Sequence, residues 1–212
     1  MNCCKCQGIE DLFTEHLVSK ELTQYRIKGP DKTTRMMIDA LKTGGIQGLS
    51  LLDIGGGVGA VQHELIEAGL KHAIDVDASK SYIRAAREEA ARRGIADRVS
   101  FQHGNFVDLA AQIAPADIVT LDRVVCCYPD MEKLVELSAA RARKLYGVVY
   151  PRDTWWIKIG ASIMNFVFRL QKNPFRIFPH NTHKVEEMIQ DKGFNRHFHF
   201  HTLIWQVVVY AR

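Results

Sequence analysis

The chain has 212 residues, of which 47% are hydrophobic and 25% charged, and 28 Lys and Arg against 24 Asp and Glu give a formal charge of +4. This length predicts one globular domain with a sizeable core and excludes two full enzyme domains. We interpret the positive excess as spread along the chain, and no run of Lys or Arg exceeds two residues, which disfavours a nucleic-acid-binding protein.

The cysteines and the first residues predict a location. Five cysteines are an odd number, and the adjacent pairs Cys3-Cys4 and Cys126-Cys127 make poor frameworks for separate disulfides, so a reducing cytoplasm is the expected compartment. The N-terminus lacks the features of a secretory signal, and no apolar run of about 18 residues is present. The sequence therefore predicts a cytoplasmic protein without a membrane span.

The N-terminal part and the centre of the chain differ in their patterns. Residues 9–43 are predicted to be helical with a break at Gly29-Pro30, and we assign residues 1–48 to an N-terminal helical extension. From residue 49 to 150, short apolar runs alternate with helical patterns. The predicted strands are 49–54, 73–76, 99–103, 118–121 and 145–150. This alternation predicts a doubly wound α/β domain with a parallel sheet, which we assign to residues 49–212.

The alternation lapses after Tyr150. Residues 151–181 form an insertion that is richer in aromatic residues than a connecting loop requires, and it is predicted to form a lid. A predicted helix at 184–192 follows. Residues 194–212 then contain two strands with His201-Thr202 as the turn, which predicts that these two strands are antiparallel.

A glycine-rich turn follows the first predicted strand. The glycines Gly55, Gly56, Gly57 and Gly59 leave backbone N–H groups open at the start of a helix, which predicts a site for an anionic or nucleotide-like group. The spacing also satisfies the dinucleotide fingerprint, so an NAD(P)-dependent oxidoreductase is one alternative. Asp53 stands two residues before the turn, where a carboxylate repels a pyrophosphate and suits a cationic amine.

The run Leu51-Leu52-Asp53-Ile54-Gly55-Gly56-Gly57-Val58-Gly59 resembles the first motif of class I S-adenosylmethionine-dependent methyltransferases. In that family the acid and the turn hold the amino-acid end of the cofactor, so the resemblance implies S-adenosylmethionine as the cofactor. It also implies a Rossmann-like methyltransferase fold: an α/β, mostly parallel seven-stranded sheet with an antiparallel last strand. The resemblance extends from about residue 49 to the end of the chain and implies methyl transfer to a small or medium-sized molecule.

Further cofactor contacts follow from this resemblance. Asp77, after the second strand, matches the ribose-binding acid, with Ala78 beside it, and Asp75 is the competing candidate. Asn105 and Phe106 stand where the family often has Gly-Asp-Phe. An amide oxygen still accepts a hydrogen bond from the adenine amino group, and the phenyl ring would flank the base.

The end of the fourth predicted strand bears on the chemistry. The resemblance implies that Asp122, at this strand end, faces the sulfonium and the acceptor. Transfer from a sulfonium is an in-line displacement, so positioning in a dry site supplies much of the acceleration. The Asn/Asp-Pro-Pro-Tyr signature is missing, which disfavours methylation of nucleic-acid bases. If a base is needed, the candidates are Tyr128, His180 and His183. With no evident base and with Asn105 replacing the acid, a catalytically silent cofactor-binding protein is a further alternative.

The insertion supplies the candidate acceptor site. Its aromatic residues predict an apolar cover, two of its arginines suit a carboxylate, and a helix packed on the core is the alternative. These residues are Trp155, Trp156, Phe166, Phe168, Arg152 and Arg176. The insertion also resembles the magnesium-protoporphyrin O-methyltransferase branch, which implies methylation of a carboxylate on a large flat apolar molecule. Ten residues separate Lys158 from Arg169, enough to lie on a membrane surface without crossing it.

Two groups of residues could hold a metal. Cys3 and Cys6 have Cys-x-x-Cys spacing, but no second pair completes the site, so we favour a tail with exposed thiols and predict no metal. Three alternating histidines are predicted to lie on the exposed face of an edge strand: His197, His199 and His201. The sequence leaves the oligomeric state open.

Overall fold

A computed structural model describes residues 8–212, so Cys3 and Cys6 lie outside the described residues. The strands are β1 (Ser50–Ile54), β2 (His72–Asp77), β3 (Val99–His103), β4 (Ala116–Asp122), β5 (Ala142–Pro151), β6 (Asn195–His201) and β7 (Trp205–Ala211). The helices are α1 (Ile9–Leu12), α2 (Glu15–Lys28), α3 (Lys32–Thr43), α4 (Ala60–Glu67), α5 (Lys80–Arg92), α6 (Phe106–Leu109), α7 (Met131–Arg141), α8 (Trp155–Leu170) and α9 (Thr182–Gln190). None of these helices is long and apolar enough to cross a bilayer.

The seven strands described across residues 8–212 form one sheet in the order β3-β2-β1-β4-β5-β7-β6. The first five strands pair in parallel, and β7 is antiparallel to both of its neighbours, β5 and β6. The predicted α/β fold is therefore confirmed, as is the antiparallel pairing of the last two strands. The strand order reverses at β1, where open α/β sheets form their ligand crevice at the carboxyl ends of the strands.

Successive strand residues supply two apolar cores, one on each face of the sheet. Leu51 and Ile118 pack on one face with residues of α3, α4 and α5, while Leu52 and Val119 pack on the other with residues of α7 and α9. This division follows from the two-residue period of a strand. Because α3 contributes to the first core, part of the predicted N-terminal extension is built into the domain, and the boundary at residue 48 stays a prediction.

Caps explain where the helices begin and end. The Asn181 side chain accepts a hydrogen bond from the Lys184 N–H, so α9 starts two residues before the predicted helix. The sequence pattern predicts a helix over residues 131–143, which is wrong at its C-terminal end, because α7 stops at Arg141 and β5 begins directly at Ala142. Ser79 caps α5 by accepting from the backbone N–H of residue 82 at 3.4 Å.

The insertion after β5 consists of α8 and an extended return segment. The Asn165 side chain both donates to the Ile177 carbonyl and accepts from its N–H, each at 2.8 Å. The rings of Phe168 and Phe175 meet edge to face with their centroids 5.6 Å apart. These contacts fasten the return segment to α8 and hold the helix over the carboxyl ends of the strands.

Candidate active site

A cavity of about 940 Å³ lies at the carboxyl ends of β1, β2 and β4. Its inner part is lined by the glycine turn and by polar residues at the strand ends, and its outer part by α1, α2, α8 and the β6–β7 turn. The cavity therefore joins a polar floor to a largely apolar mouth.

Asp53 is the most deeply buried acid of the floor. Its Oδ1 accepts a hydrogen bond from the Thr120 hydroxyl at 2.7 Å, whereas its Oδ2 has no partner. Burial raises the pKa of Asp53 to about 7, and the charges of Asp122 and Asp77 add to this rise against the Thr120 bond. A buried carboxylate oxygen without a partner, in a residue that lines the cavity, is suited to a cationic ligand group.

Asp77 lies beside Asp53 at the end of β2, and both line the cavity. Its Oδ1 accepts from the Ser79 N–H at 2.7 Å and its Oδ2 from the Gly57 N–H at 3.1 Å. Burial nevertheless raises its pKa to about 6. Asp75, the competing candidate, is fully buried beneath the turn and accepts from the Gln62 side chain at 2.9 Å. Asp77, and not Asp75, is thus available to a ligand in the cavity.

The glycines of the turn are required by space as well as by conformation. Gly55 and Gly57 have φ values of +66° and +58°, which side-chain-bearing residues rarely adopt. A Cβ on Gly55 would lie 2.4 Å from a methyl of Val124, and one on Gly56 would lie 2.7 Å from a carboxylate oxygen beneath. Gly59 lies behind the turn against His63 and is not part of the cavity lining, which leaves its predicted ligand contact a prediction.

Asn105 and Phe106 both line the cavity, as does Ala78. Asn105 Oδ1 accepts from the Val107 N–H at 3.2 Å and thereby caps α6, while its Nδ2 donates to the Tyr128 hydroxyl at 3.2 Å. These neighbours therefore fix the orientation of the Asn105 side chain at the cavity wall.

Asp122 takes part in a cluster that the sequence did not predict. Its Oδ2 accepts from the Thr34 hydroxyl at 2.5 Å and its Oδ1 from Arg123 Nε at 3.1 Å. Arg123 also donates to Asp31 at 2.8 Å and has a φ of 61°. The cluster ties the start of α3 to the end of β4 at the cavity wall. The sequence carries no signal for this cluster, because Asp31 and Thr34 are about 90 residues away from Asp122 and Arg123. In the structure, the positive φ of Arg123 marks the cluster as unusual.

The predicted catalytic and acceptor-binding residues are divided among several places. Tyr128 and Trp156 line the cavity, but Trp155 is 69% exposed and outside it. The His180 ring nitrogen lies 2.9 Å from the Tyr128 carbonyl oxygen, and burial lowers the pKa of this histidine. His183 and Arg152 lie in a second cleft of about 370 Å³ together with two of the alternating histidines. Their predicted roles stay predictions.

The other residues of the predicted lid and the alternating histidines are placed as follows. Phe166 is 59% exposed and Phe168 is buried in the insertion. Arg176 donates to the carbonyls of Asn173 and Phe175 at 2.6 Å. The three alternating histidines, His197, His199 and His201, are exposed on β6 at the edge of the sheet. Among residues 8–212, no group of three or more His, Cys, Asp or Glu is arranged to hold a metal ion.

Sequence reasoning predicted the N-terminal helices but missed that they cover the cavity. The rings of Phe13 and Tyr82 meet at an angle of 49° with their centroids 5.0 Å apart, and the Tyr82 hydroxyl donates to Glu21 of α2 at 2.7 Å. All three side chains line the cavity. The helical pattern of residues 9–28 predicts these helices but carries no signal for the surface that they face.

The sheet order, the antiparallel β7, the glycine turn and the acids at the ends of β1 and β2 together define a class I S-adenosylmethionine-dependent methyltransferase. Residues 45–197 match the family described as "Methyltransferase domain". Since this match covers more than half of the sequence, the chain belongs to that methyltransferase family. The predicted cofactor, S-adenosylmethionine, is confirmed at the level of the family.

Solved structures agree with this assignment. The magnesium protoporphyrin IX methyltransferase of Synechocystis PCC 6803 with bound S-adenosylhomocysteine superposes with a TM-score of 0.68 at 17% identity, covering 96% of this chain and 99% of that one. An O-methyltransferase family protein from Burkholderia thailandensis gives 0.70 at 14% identity, covering 100% and 65%. A putative sarcosine dimethylglycine methyltransferase from Galdieria sulphuraria gives 0.67 at 12% identity, covering 85% of each. At these identities the likeness shows the fold. No curated protein matches the sequence.

Proposed function

We propose that this protein transfers the methyl group of S-adenosylmethionine to an apolar small or medium-sized acceptor held in the outer part of the cavity. The observation that carries the proposal is the buried, unpartnered Oδ2 of Asp53. Where a pyrophosphate would be repelled, an ammonium group supplies the missing donor and the opposite charge. This favours S-adenosylmethionine over NAD(P), the alternative that the glycine spacing left open.

Each residue of the cavity floor binds a different part of the cofactor. Asp53 accepts from the ammonium end, and Asp77 has lone pairs left for the ribose hydroxyls. Asn105 and Phe106 take the adenine. Asp122, fixed by Thr34 and Arg123, lies beside the reacting centre and contributes negative charge. When bound, S-adenosylmethionine supplies an electrophilic methyl group on a sulfonium.

The outer part of the cavity sets the nature of the acceptor. Its lining from α1, α8, the return segment and the β6–β7 turn is apolar and includes Phe13, Trp156, Ile157, Met164, Ile177 and Leu203. Such a surface stabilises an apolar body and excludes water, so the chain contributes chiefly by orienting the acceptor atom toward the methyl group. Arg152 and Arg176 lie outside this lining, and so the proposal does not require a carboxylate on the acceptor.

Calorimetry distinguishes the alternatives. The protein is expected to bind S-adenosylmethionine and to give no heat with NADPH, whereas binding of NADPH alone would favour an oxidoreductase. Transfer is then measured as S-adenosylhomocysteine released in the presence of apolar alcohols, thiols and carboxylic acids. A carboxylated tetrapyrrole belongs in this panel because of the magnesium protoporphyrin IX methyltransferase neighbour. Cofactor binding without transfer to any acceptor would favour the catalytically silent alternative.

A further inference from the structure

The outer surface of the lid is unusually apolar. Nine of the ten large apolar side chains that are exposed among residues 8–212 lie on α8 or at Leu203 and Ile204 of the β6–β7 turn. We call one stripe of them the α8 face: Trp155, Ile159, Ile163, Phe166 and Leu170, each between 51% and 69% exposed. Their spacing of three or four residues places them on one side of the helix. A contiguous apolar surface of this kind marks an interaction site.

The same segment carries the net charge of the protein. Residues 151–181 contain five Lys and Arg and a single Asp, a net charge of +4, while the rest of the chain has 23 cations and 23 acids and is neutral. The expectation that the positive excess is spread along the chain is therefore wrong. The one acid, Asp153, pairs with Lys158. Arg169 and Lys172 are exposed and form no ion pair with an acid among the described residues.

We propose that the α8 face and the β6–β7 turn dock this protein on an anionic lipid surface. An apolar helical face bordered by cations is typical of helices that lie in the membrane interface. The 16 residues of α8 span about 24 Å at 1.5 Å per residue, too short to cross a bilayer and suited to lying on one. A second copy is a poorer occupant, because a two-fold contact would collect the exposed Arg169 and Lys172 of both copies at one interface without acids to pair with them.

Docking in this orientation has a consequence for the acceptor, which rests on the proposed function. Trp156, Met164, Leu203 and Ile204 are exposed and also line the cavity. They form a continuous apolar path from the docking surface into the outer part of the cavity. An acceptor dissolved in the lipid would reach the methyl group without passing through water, so the substrate class becomes a lipophilic molecule that partitions into membranes.

Flotation of the full-length protein with lipid vesicles tests the docking. The protein is expected to float with vesicles of equimolar phosphatidylcholine and phosphatidylglycerol, and much less with pure phosphatidylcholine. Ile163→Asp, and independently Leu203→Asp in the turn, should weaken binding to the mixed vesicles at least about tenfold. Ile27→Asp is the matched control, because Ile27 is 75% exposed on α2 and should float like the unaltered protein.

The charge contribution has its own pair of variants. Arg169→Gln with Lys172→Gln should weaken binding to the mixed vesicles about 25-fold, since each cation at an anionic surface contributes about fivefold. Lys42→Gln with Lys133→Gln removes two exposed cations from α3 and α7 and should leave binding unchanged.

Three results would overturn the docking. These are an unaltered protein that does not float with the mixed vesicles, an Ile163→Asp variant that floats equally well, and a dimer that Ile163→Asp converts to a monomer without any vesicle binding. The last would assign the face to a second copy. Calorimetry with S-adenosylmethionine separates the two proposals: cofactor binding without flotation refutes only the docking, and flotation without cofactor binding refutes only the proposed function.

Discussion

Replacing Asp53 by Asn is expected to make the protein more stable and a poorer binder of its cofactor. The carboxylate is fully buried at the end of β1, with one oxygen bonded to Thr120 and the other without a partner. Asn keeps an oxygen for the Thr120 hydroxyl, but it removes the charge. The two effects have opposite signs because the charge that the cofactor needs is the charge that folding opposes.

The size of the stability effect follows from the pKa. Folding raises the pKa of Asp53 from 3.8 to about 7, so the ionised form opposes folding. The penalty is absent below the unfolded pKa, grows as the pH rises toward 7, and stays constant above it. At 1.36 kcal/mol per pKa unit, it is about 2 kcal/mol at pH 5 and about 4 kcal/mol at pH 8. The unpartnered amide N–H of Asn costs about 1 kcal/mol. The substitution should therefore raise the free energy of unfolding by about 1 kcal/mol at pH 5 and by about 3 kcal/mol at pH 8.

Urea unfolding at these two pH values and calorimetry with S-adenosylmethionine measure the two effects. The free energy of unfolding of Asp53→Asn should exceed that of the unaltered protein by more at the higher pH. The affinity for the cofactor should fall about 100-fold, the loss typical when one partner of a buried charge pair is removed. A stability difference that is the same at both pH values, or a cofactor affinity that does not change, would refute the reasoning.

Asp117→Asn is the matched control at the opposite end of the sheet. Burial works to raise the pKa of Asp117, but hydrogen bonds from the Ser50 N–H and hydroxyl, with the nearby Lys144, outweigh it and lower the pKa. The charge of Asp117 therefore favours folding above the ordinary pKa, and its benefit is lost on acidification. The same substitution should reduce stability here and leave cofactor affinity unchanged.

Three further substitutions test the site and its support. Gly55→Ala should cost about 2 kcal/mol in urea unfolding and lower cofactor affinity, because its Cβ meets Val124 at a positive φ, and Val124→Ala in the same chain should restore part of the stability. Glu89→Gln should cost about 3 kcal/mol, because this buried carboxylate binds three arginines; an unchanged unfolding midpoint would contradict the network. Tyr128→Phe should lower the transfer rate less than tenfold, and a larger loss with normal cofactor affinity would make Tyr128 a general base.

The sequence predicted the floor of the site because that floor is built from local patterns. The alternation of strands and helices fixed a parallel sheet, and parallel strands bring their carboxyl ends to one edge. Asp53 and Asp77 are 24 residues apart in sequence, yet β1 and β2 pair directly, with Asp53 opposite Asp75. Residues that end neighbouring strands can therefore be grouped from their positions in the chain alone.

The walls of the cavity could not be predicted in the same way. Thr34 reaches Asp122 across 88 positions, and Tyr82 reaches Glu21 across 61. Both contacts depend on how the helices of the first 48 residues pack against the rest of the domain. Periodicity shows that such a helix has an apolar side, but several surfaces of the domain can cover that side equally well. Packing decides among these surfaces, and a single sequence does not display it.

The net charge of +4 conceals two regions of opposite sign. Inside the cavity, the carboxyl groups of Asp53, Asp77 and Asp122 line one wall, and a bound sulfonium or ammonium would favour their ionised forms. Outside it, residues 151–181 hold the entire positive excess around an apolar rim. Burial preserves the first field against screening by salt, whereas the second is exposed and acts only within about 8 Å at physiological ionic strength. The acids inside the cavity therefore suit a bound cationic cofactor, and the exposed cations suit contact with an anionic surface at close range. Because the two groups lie in different parts of the protein, binding of the cofactor and docking on the surface do not compete for the same charges.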